Sequence, residues 1–441
     1  MRGVAAAPDG HVSIHNPWMA YLTDMHRYRR FNRFNLVDIY AWGGSGPGPF
    51  APLSVDVPAS AVEWAKDLLH QHATPKRWVA VQVGASDPMK AWRPAYYGQT
   101  LAAITKRTDA GIVLIGTPQE HDAIQEAKRV YREAGGKGAW VETAGRTDLK
   151  QLAAVLAQSD LLLTNDTGPM HLAVGVGTPV VDLSVGHVDF QETGPYGPGH
   201  WVVQPDLACA PCGFDQVCLH HACKDRLIPD QIADLCLYAL KVGSFPLITN
   251  GIKIYESGVD EDGLTRYRLR SGREDSLAAW YGPFWRRAWF EDFTGLSCAE
   301  TAPSEPPPDV ERAAEILHAL KPMAAGLLNS ALALARLSHR RPLPVSALKT
   351  AQAEELKERA AAVALGLQSP ASNPVVIALL RDLHNDDGLT LTAMAQSRME
   401  TYRRWQRRLE NVEARIHSVM SRSPRVLINP QVELSRSTES A

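Results

Sequence analysis

The run Asn165-Asp166-Thr167-Gly168-Pro169-Met170-His171 puts a carboxylate, an imidazole, a glycine and a proline into one short stretch. It lies between the apolar runs 161–163 and 180–183, an order that predicts a buried strand, a polar corner and a short helix. Free amide hydrogens of Thr167 and Gly168 at the helix start would make an anion site. Asp166 and His171, one on each side, could hold hydroxyls. The combination suits a sugar diphosphate better than an inorganic ion. A plainer reading takes Asp166 or Thr167 as N-cap and packs His171 into the interior; the two are compatible.

Two further strips share this character. Gly84-Ala85-Ser86-Asp87-Pro88-Met89-Lys90-Ala91-Trp92 leaves the first predicted strand of the sheet. Ser86 could bond a phosphate oxygen there, and Lys90 could set a compact cation on a diphosphate; otherwise this is a surface loop with a solvated lysine. Gly116-Thr117-Pro118-Gln119-Glu120 leaves the next strand. Glu120 could grip a ribose diol, or only complement a helix dipole. All three strips follow strands of one sheet, so they are expected to converge.

The elements that would position them alternate regularly. Strands are predicted at 78–83, 112–115, 139–142, 161–164 and 180–183, and helices at about 95–107, 119–134, 149–158, 169–176 and 229–240. Strands alternating with helices predict an α/β fold with a Rossmann-like parallel sheet, which binds ligands at its C-terminal edge. The domain reading is 1–75, a remnant; 76–245, the nucleotide-sugar domain; 246–300, a hairpin followed by Trp280, Trp285 and Trp289; and 309–421, a bundle of three to five helices. Within the remnant, 16–42 reads as one helical stretch, 53–57 as a short strand and 60–72 as a helix. Residues 302–308 read as an extended spacer, and the tail after Ser421 as loose.

The chain has 441 residues, enough for two or three domains. Its 46 Lys+Arg against 48 Asp+Glu give no basic excess to suggest nucleic acid. No apolar run approaches the roughly 20 residues of a membrane span, and no signal pattern opens the chain. A cytosolic protein is expected, with peripheral contact at the inner membrane face left open.

Residues 78–243 resemble the C-terminal half of the heptosyltransferases, glycosyltransferase family 9. The resemblance rests on Lys90-x-Trp92, Gly116-x-Pro118-x-Glu120, Ala144-Gly145-x-Thr147-Asp148-Leu149, the Asn165 to His171 run, Gly177-Thr178-Pro179 and Thr193-Gly194-Pro195-Tyr196-Gly197. The run Arg30 to Asp38 extends it. It implies a GT-B glycosyltransferase that takes a nucleoside-diphosphate sugar, often ADP-heptose, and inverts the anomeric carbon. It requires no cofactor for that chemistry and transfers to a lipopolysaccharide-like or other surface glycan. By the same resemblance, Ser86 and Lys90 contact the diphosphate and Glu120 the ribose. Asp166 touches the donor sugar, and Thr167, Gly168 and His171 surround the phosphates. The family's general base comes from a Gly-Asp strip near the chain start. No such strip precedes residue 78, and His11, Asp24 and Asp38 lack matching surroundings. The expectation is a truncated acceptor half, leaving either an enzyme or a catalytically incomplete nucleotide-sugar-binding module.

Cys209, Cys212, Cys218 and Cys223 crowd into one loop. In a reducing compartment their spacing could close a tetrahedral zinc site; the alternatives are reduced structural thiols or an optional disulfide. Cys236 and Cys298 read as bystanders. The three tryptophans read as core or interface rather than sugar platforms. The Arg-rich stretch 398–408 reads as a solvated helix face or a contact for anionic lipid.

Overall fold

The computed structural model describes residues 4–6, 12–25, 29–72, 75–213, 216–246, 251–298, 306, 309–384 and 390–422. His11, nearly all of the 302–308 spacer and the tail beyond 422 lie outside them. Two compact units divide the chain, Met1–Glu300 and Thr301–Ala441.

In the first unit, β1 (Val4–Ala6) and β2 (Val12–Ile14) form a small antiparallel pair. Helices α1 (Pro17–Met25), α2 (Leu36–Ser45) and α3 (Ala59–His72) follow. The predicted single helix over 16–42 is thus two, separated by a 3₁₀ turn at Arg29–Phe31. Asparagines explain the division. The Asn16 side chain accepts from the Trp18 and Met19 amides, and that of Asn35 from the Val37 amide, so each starts a new helix. No strand forms at 53–57; the Val55 amide makes a single bond to the Gly175 carbonyl at 2.8 Å.

The main sheet is built from β3 (Arg77–Gln82), α4 (Pro94–Arg107), β4 (Ala110–Ile115), α5 (His121–Glu133), β5 (Trp140–Glu142), α6 (Leu149–Ala157), β6 (Leu161–Asn165), α7 (Gly168–Gly175), β7 (Val180–Leu183), α8 (Phe190–Thr193), β8 (Trp201–Pro205), α9 (Ala222–Arg226), α10 (Pro229–Ala239), β9 (Ile252–Val259), β10 (Thr265–Ser271) and α11 (Ser276–Thr294). Strand order is β10-β9-β8-β7-β6-β3-β4-β5. The strands from β5 to β8 are parallel, and β9 and β10 join antiparallel. Their apolar residues are buried on both faces, as a sheet covered by helices requires. Val79 and Val81 face a core shared with α4, α5 and α10, while Ala80 faces one shared with α3, α6 and α7.

Two features depart from the predicted pattern. β8 was not anticipated, because its short run Trp201-Val202-Val203-Gln204-Pro205 sits between a glycine-rich turn and the cysteine loop. The hairpin β9–β10, set apart with 246–300 on sequence, instead extends the sheet by pairing β9 with β8. The three tryptophans lie on α11 and are buried in an aromatic core; Trp285 and Trp289 stack at 5.6 Å.

The chain runs outward from β3 to β4 and β5, then returns to lay β6 on the other side of β3. That reversal is a topological switch point, where open α/β sheets hold their ligands. The first and third strips leave the two strands that flank it.

The second unit packs α12 (Val310–Ser338), α13 (Val345–Gly366), α14 (Asn373–His384) and α15 (Leu391–Arg422). Much of the Arg-rich stretch turns inward. Arg398 and the Tyr402 hydroxyl donate to buried Glu355, and Arg404 and Arg408 pair with buried Asp382. Arg403, Arg404 and Arg407 remain exposed. No helix among the described residues is long and apolar enough to cross a membrane.

Candidate functional site

The three strips meet at the C-terminal edge around the switch point, held by side chains at strand ends. Asn165, the last residue of β6, reaches across to strip one. Its amide nitrogen donates to the Val83 and Gly84 carbonyls at 3.2 and 3.0 Å, and its oxygen accepts from the Trp92 amide at 2.9 Å. Gln82, the last residue of β3, joins the other two strips. Its nitrogen donates to Glu120 Oε1 at 3.2 Å, and its oxygen accepts from Thr167 Oγ1 at 2.5 Å. Glu120 Oε2 also accepts from the Thr117 amide at 2.6 Å. That carboxylate lies over two glycines. A Cβ on Gly84 would come within 2.3 Å of Oε1, and one on Gly116 (φ +143) within 2.1 Å of Oε2. At Gly116 the positive φ favours glycine, and at Gly84 a larger residue would displace the Glu120 carboxylate.

The start of α7 stands open. Thr167 occupies the N-cap position, but its hydroxyl is turned to Gln82 and makes no side-chain cap. Asp166 does not cap either; its Oδ2 accepts from the Thr193 hydroxyl. Thr167 thus holds the expected N-cap position without the side-chain cap, and Asp166 supplies none. Nothing lies within 4 Å of a Cβ built on Gly168, so there is room for an anion at the uncapped amides.

Charge gathers beside this opening. Burial raises the Asp166 carboxyl, while Thr193, Lys90, His171 and His187 pull it back. Burial lowers His171, with Asp166 opposing and Lys90 reinforcing. Lys90, Asp166 and His171 therefore sense one another across strips one and three. Ser86 is exposed on strip one, with no hydrogen bond of its own among the described residues.

Two residues here were missed on sequence. His187 follows β7 and puts Nδ1 3.7 Å from Asp87 Oδ2. Asp182, on β7, is fully buried; Ser184 donates to its Oδ2 at 2.8 Å, and burial with nearby Asp166 pushes its carboxyl well up. The rule that ligands sit at strand ends would have flagged His187. Asp182 was hidden within an apolar run.

Residues 29–38 brace the same region. Arg29 pairs with Glu192 at 3.1 Å. Asn35 donates to the Gly194 carbonyl and the Tyr267 hydroxyl. Buried Asp38 accepts from the Tyr196 hydroxyl and the Thr265 amide, each at 2.9 Å. Asp38 is thus tied into the fold rather than facing a cleft.

The cysteine loop packs against strip one. The Trp92 indole donates to the Lys224 carbonyl, and Lys224 Nζ to the Pro88 carbonyl. Cys209, Cys212, Cys218 and Cys223 are free thiols. Burial, with the other three thiols nearby, pushes Cys212 up to about 11. Among the described residues no three His, Cys, Asp or Glu side chains are arranged to hold a metal ion. Cys236 is buried on α10, and Cys298 donates to Asp262.

Residues 51–222 match the model of glycosyltransferase family 9 (heptosyltransferase). The chain therefore contains a domain of that family. It is similar to lipooligosaccharide heptosyltransferase 2 of Campylobacter jejuni (serotype O:2), 28% identical over 171 residues, or 38% of this chain and 52% of that protein. Lipopolysaccharide heptosyltransferase 2 of Salmonella typhimurium is 32% identical over 97 residues, covering 22% of this chain and 27% of that protein. Among solved structures, E. coli ADP-heptose LPS heptosyltransferase II aligns with a TM-score of 0.35 at 20% identity, covering 43% of this chain and 53% of that one. The chain spans about half the length of the first two curated relatives it matches.

Proposed function

We propose that the first unit binds a nucleoside-diphosphate sugar, with ADP-heptose as donor, and that the protein transfers the sugar to a lipopolysaccharide-like glycan. The observation that carries this reading is the uncapped start of α7, flanked by Asp166, His171 and Lys90 at the switch point. The diphosphate would lie on the Thr167 and Gly168 amides, with Ser86 and Lys90 at its oxygens. As the bond from the anomeric carbon to the diphosphate breaks, negative charge builds on the leaving phosphate. Lys90 and the helix start would stabilise that charge in place, without rearrangement. Asp166, held by Thr193, would orient donor hydroxyls. Glu120 already accepts from Thr117 on one oxygen and from Gln82 on the other, so it would offer the ribose its remaining lone pairs. Work at the cytosolic face of a membrane that displays the acceptor fits this chemistry.

A second reading is donor binding without transfer. Calorimetry with ADP and ADP-heptose tests the donor site. Lys90→Ala and Asp166→Ala should each weaken ADP-heptose binding tenfold or more; unchanged affinity in both variants removes the reading. Release of ADP in the presence of a lipopolysaccharide acceptor separates the enzyme from the binding module.

A further inference from the structure

His187 stands one residue past the glycine that turns the chain off β7 and lays it on strip one. Gly186 has φ +70, and a Cβ on it would fall 2.4 Å from the Met89 carbonyl oxygen, which favours glycine there. The Gly186 carbonyl accepts from the Cys212 amide at 3.0 Å, and the His187 carbonyl from Arg29 Nη1 at 2.9 Å. The backbone under the imidazole is thus gripped by strip one, the cysteine loop and the turn at Arg29–Phe31. Two residues further on, Asp189 caps α8 by accepting from the Gln191 amide at 3.1 Å, and Thr193 of that helix donates to Asp166. His187 therefore rides on a short, braced connection between the end of β7 and the residues around the α7 start.

The imidazole also has an orienting partner. Its Nδ1 lies 3.7 Å from Asp87 Oδ2, longer than a hydrogen bond, as such pairs often are before substrate tightens them. Asp87 is itself held, because its Oδ1 accepts from the Met89 amide at 2.8 Å. A histidine that donates from Nδ1 to a carboxylate turns the lone pair of Nε2 outward. Burial pushes the half-buried His187 below its ordinary value, with Asp87 and Asp166 opposing and Lys90 and Arg29 reinforcing. A ring that is neutral near pH 7 can take up a proton. Lys90 and Asp166, the groups assigned to the donor, are both near enough to act on it.

We infer that His187 is the general base of the transfer described above, with Asp87 as its positioning residue. An acceptor hydroxyl gives its proton to Nε2 of His187 while its oxygen bonds the anomeric carbon of the donor. The bond from that carbon to the diphosphate oxygen breaks. Its electron pair leaves on the nucleoside diphosphate, where Lys90 and the α7 start meet it. The proton then passes from His187 to water. This assignment rests on the transfer reading.

ADP release from ADP-heptose with a lipopolysaccharide acceptor, followed from acid to neutral pH, tests it. His187→Ala, checked for folding by circular dichroism, should lose about a hundredfold or more in kcat. Its ADP-heptose affinity by calorimetry should stay within about threefold of wild type. Added imidazole should restore part of the rate, and the acid limb of the kcat profile should vanish in the variant. Asp87→Asn keeps an oxygen for the Met89 amide and loses the charge. Since Asp87 favours the protonated ring, its removal should move the acid limb to lower pH and cut kcat about tenfold. A folded His187→Ala variant with wild-type kcat, or one whose acid limb survives, overturns the assignment. If wild type binds ADP-heptose without releasing ADP, the base fails and the donor site stands. If ADP-heptose does not bind, the donor reading itself fails and the base falls with it.

Discussion

Thr167 donates its hydroxyl to Gln82 at 2.5 Å, and so the residue that should cap α7 is drawn away from the helix start. The same glutamine donates to Glu120. Gln82→Leu removes both bonds at once. Freed, Thr167 can rotate to cap its own helix and compete with a phosphate for the amides. ADP affinity is expected to fall by about 5- to 30-fold, the equivalent of about 1–2 kcal/mol, as measured by calorimetry on folded protein.

Asn165 uses three hydrogen bonds to fix strip one against β6. It is fully buried, so its loss strands the Trp92 amide and two carbonyls. Asn165→Leu should lower stability by about 2–4 kcal/mol, read from urea denaturation. It should also weaken donor binding, because Lys90 sits on the released strip.

Asp189 gives a pH dependence with a definite sign. Burial raises its carboxyl from 3.8 to about 7, with Arg29 opposing. Between those values the folded chain holds a proton that the unfolded chain has lost. Its contribution is therefore fully present at low pH and is lost as pH rises through 7, by about 4 kcal/mol at most. Asp189→Asn retains a cap-forming side chain and removes the titration. The variant should melt above wild type at pH 8, and the gap should close by pH 4.

His200 works in the opposite direction. Burial alone lowers it from 6.5 to about 4. Between these values the unfolded chain binds the extra proton, so stability is lost as pH falls from 6.5 towards 4. His200→Gln should flatten the acid side of the melting-temperature profile.

In the second unit, Glu355 is 1% exposed and accepts from Arg398 and Tyr402. Glu355→Ala leaves a guanidinium short of its counter-charge inside a helical core. A loss of about 3–5 kcal/mol is expected, seen as an earlier loss of helical circular dichroism. Glu355→Gln should recover part of it through the hydrogen bonds.

The parallel half of the sheet was legible because its strands are continuous apolar runs closed by polar, glycine-bearing corners. The 180–183 strand appears with the predicted bounds. The meeting of the three strips was legible too, since strand ends on one edge have to meet. What joins them was not. Gln82 and Asn165 look like ordinary strand-terminal residues until their partners, more than eighty positions away in most cases, are brought beside them. Asp182 and Asp189 were equally silent, because one carboxylate in an apolar run carries no spacing signal. β8 escaped for want of length, and β9–β10 for want of a reason to assign its neighbour.

The reversal at β3 and β6 also dictates when the protein can first engage its ligand. Residues 77–142 can pair among themselves while the rest of the chain is still being synthesised, but they own only part of the proposed phosphate cradle. The other part arrives with β6 and α7, after a long excursion of chain has been closed. Nucleotide should thus have little hold on early, half-formed species. It should slow escape from the finished state, and appear in kinetics chiefly as resistance to unfolding.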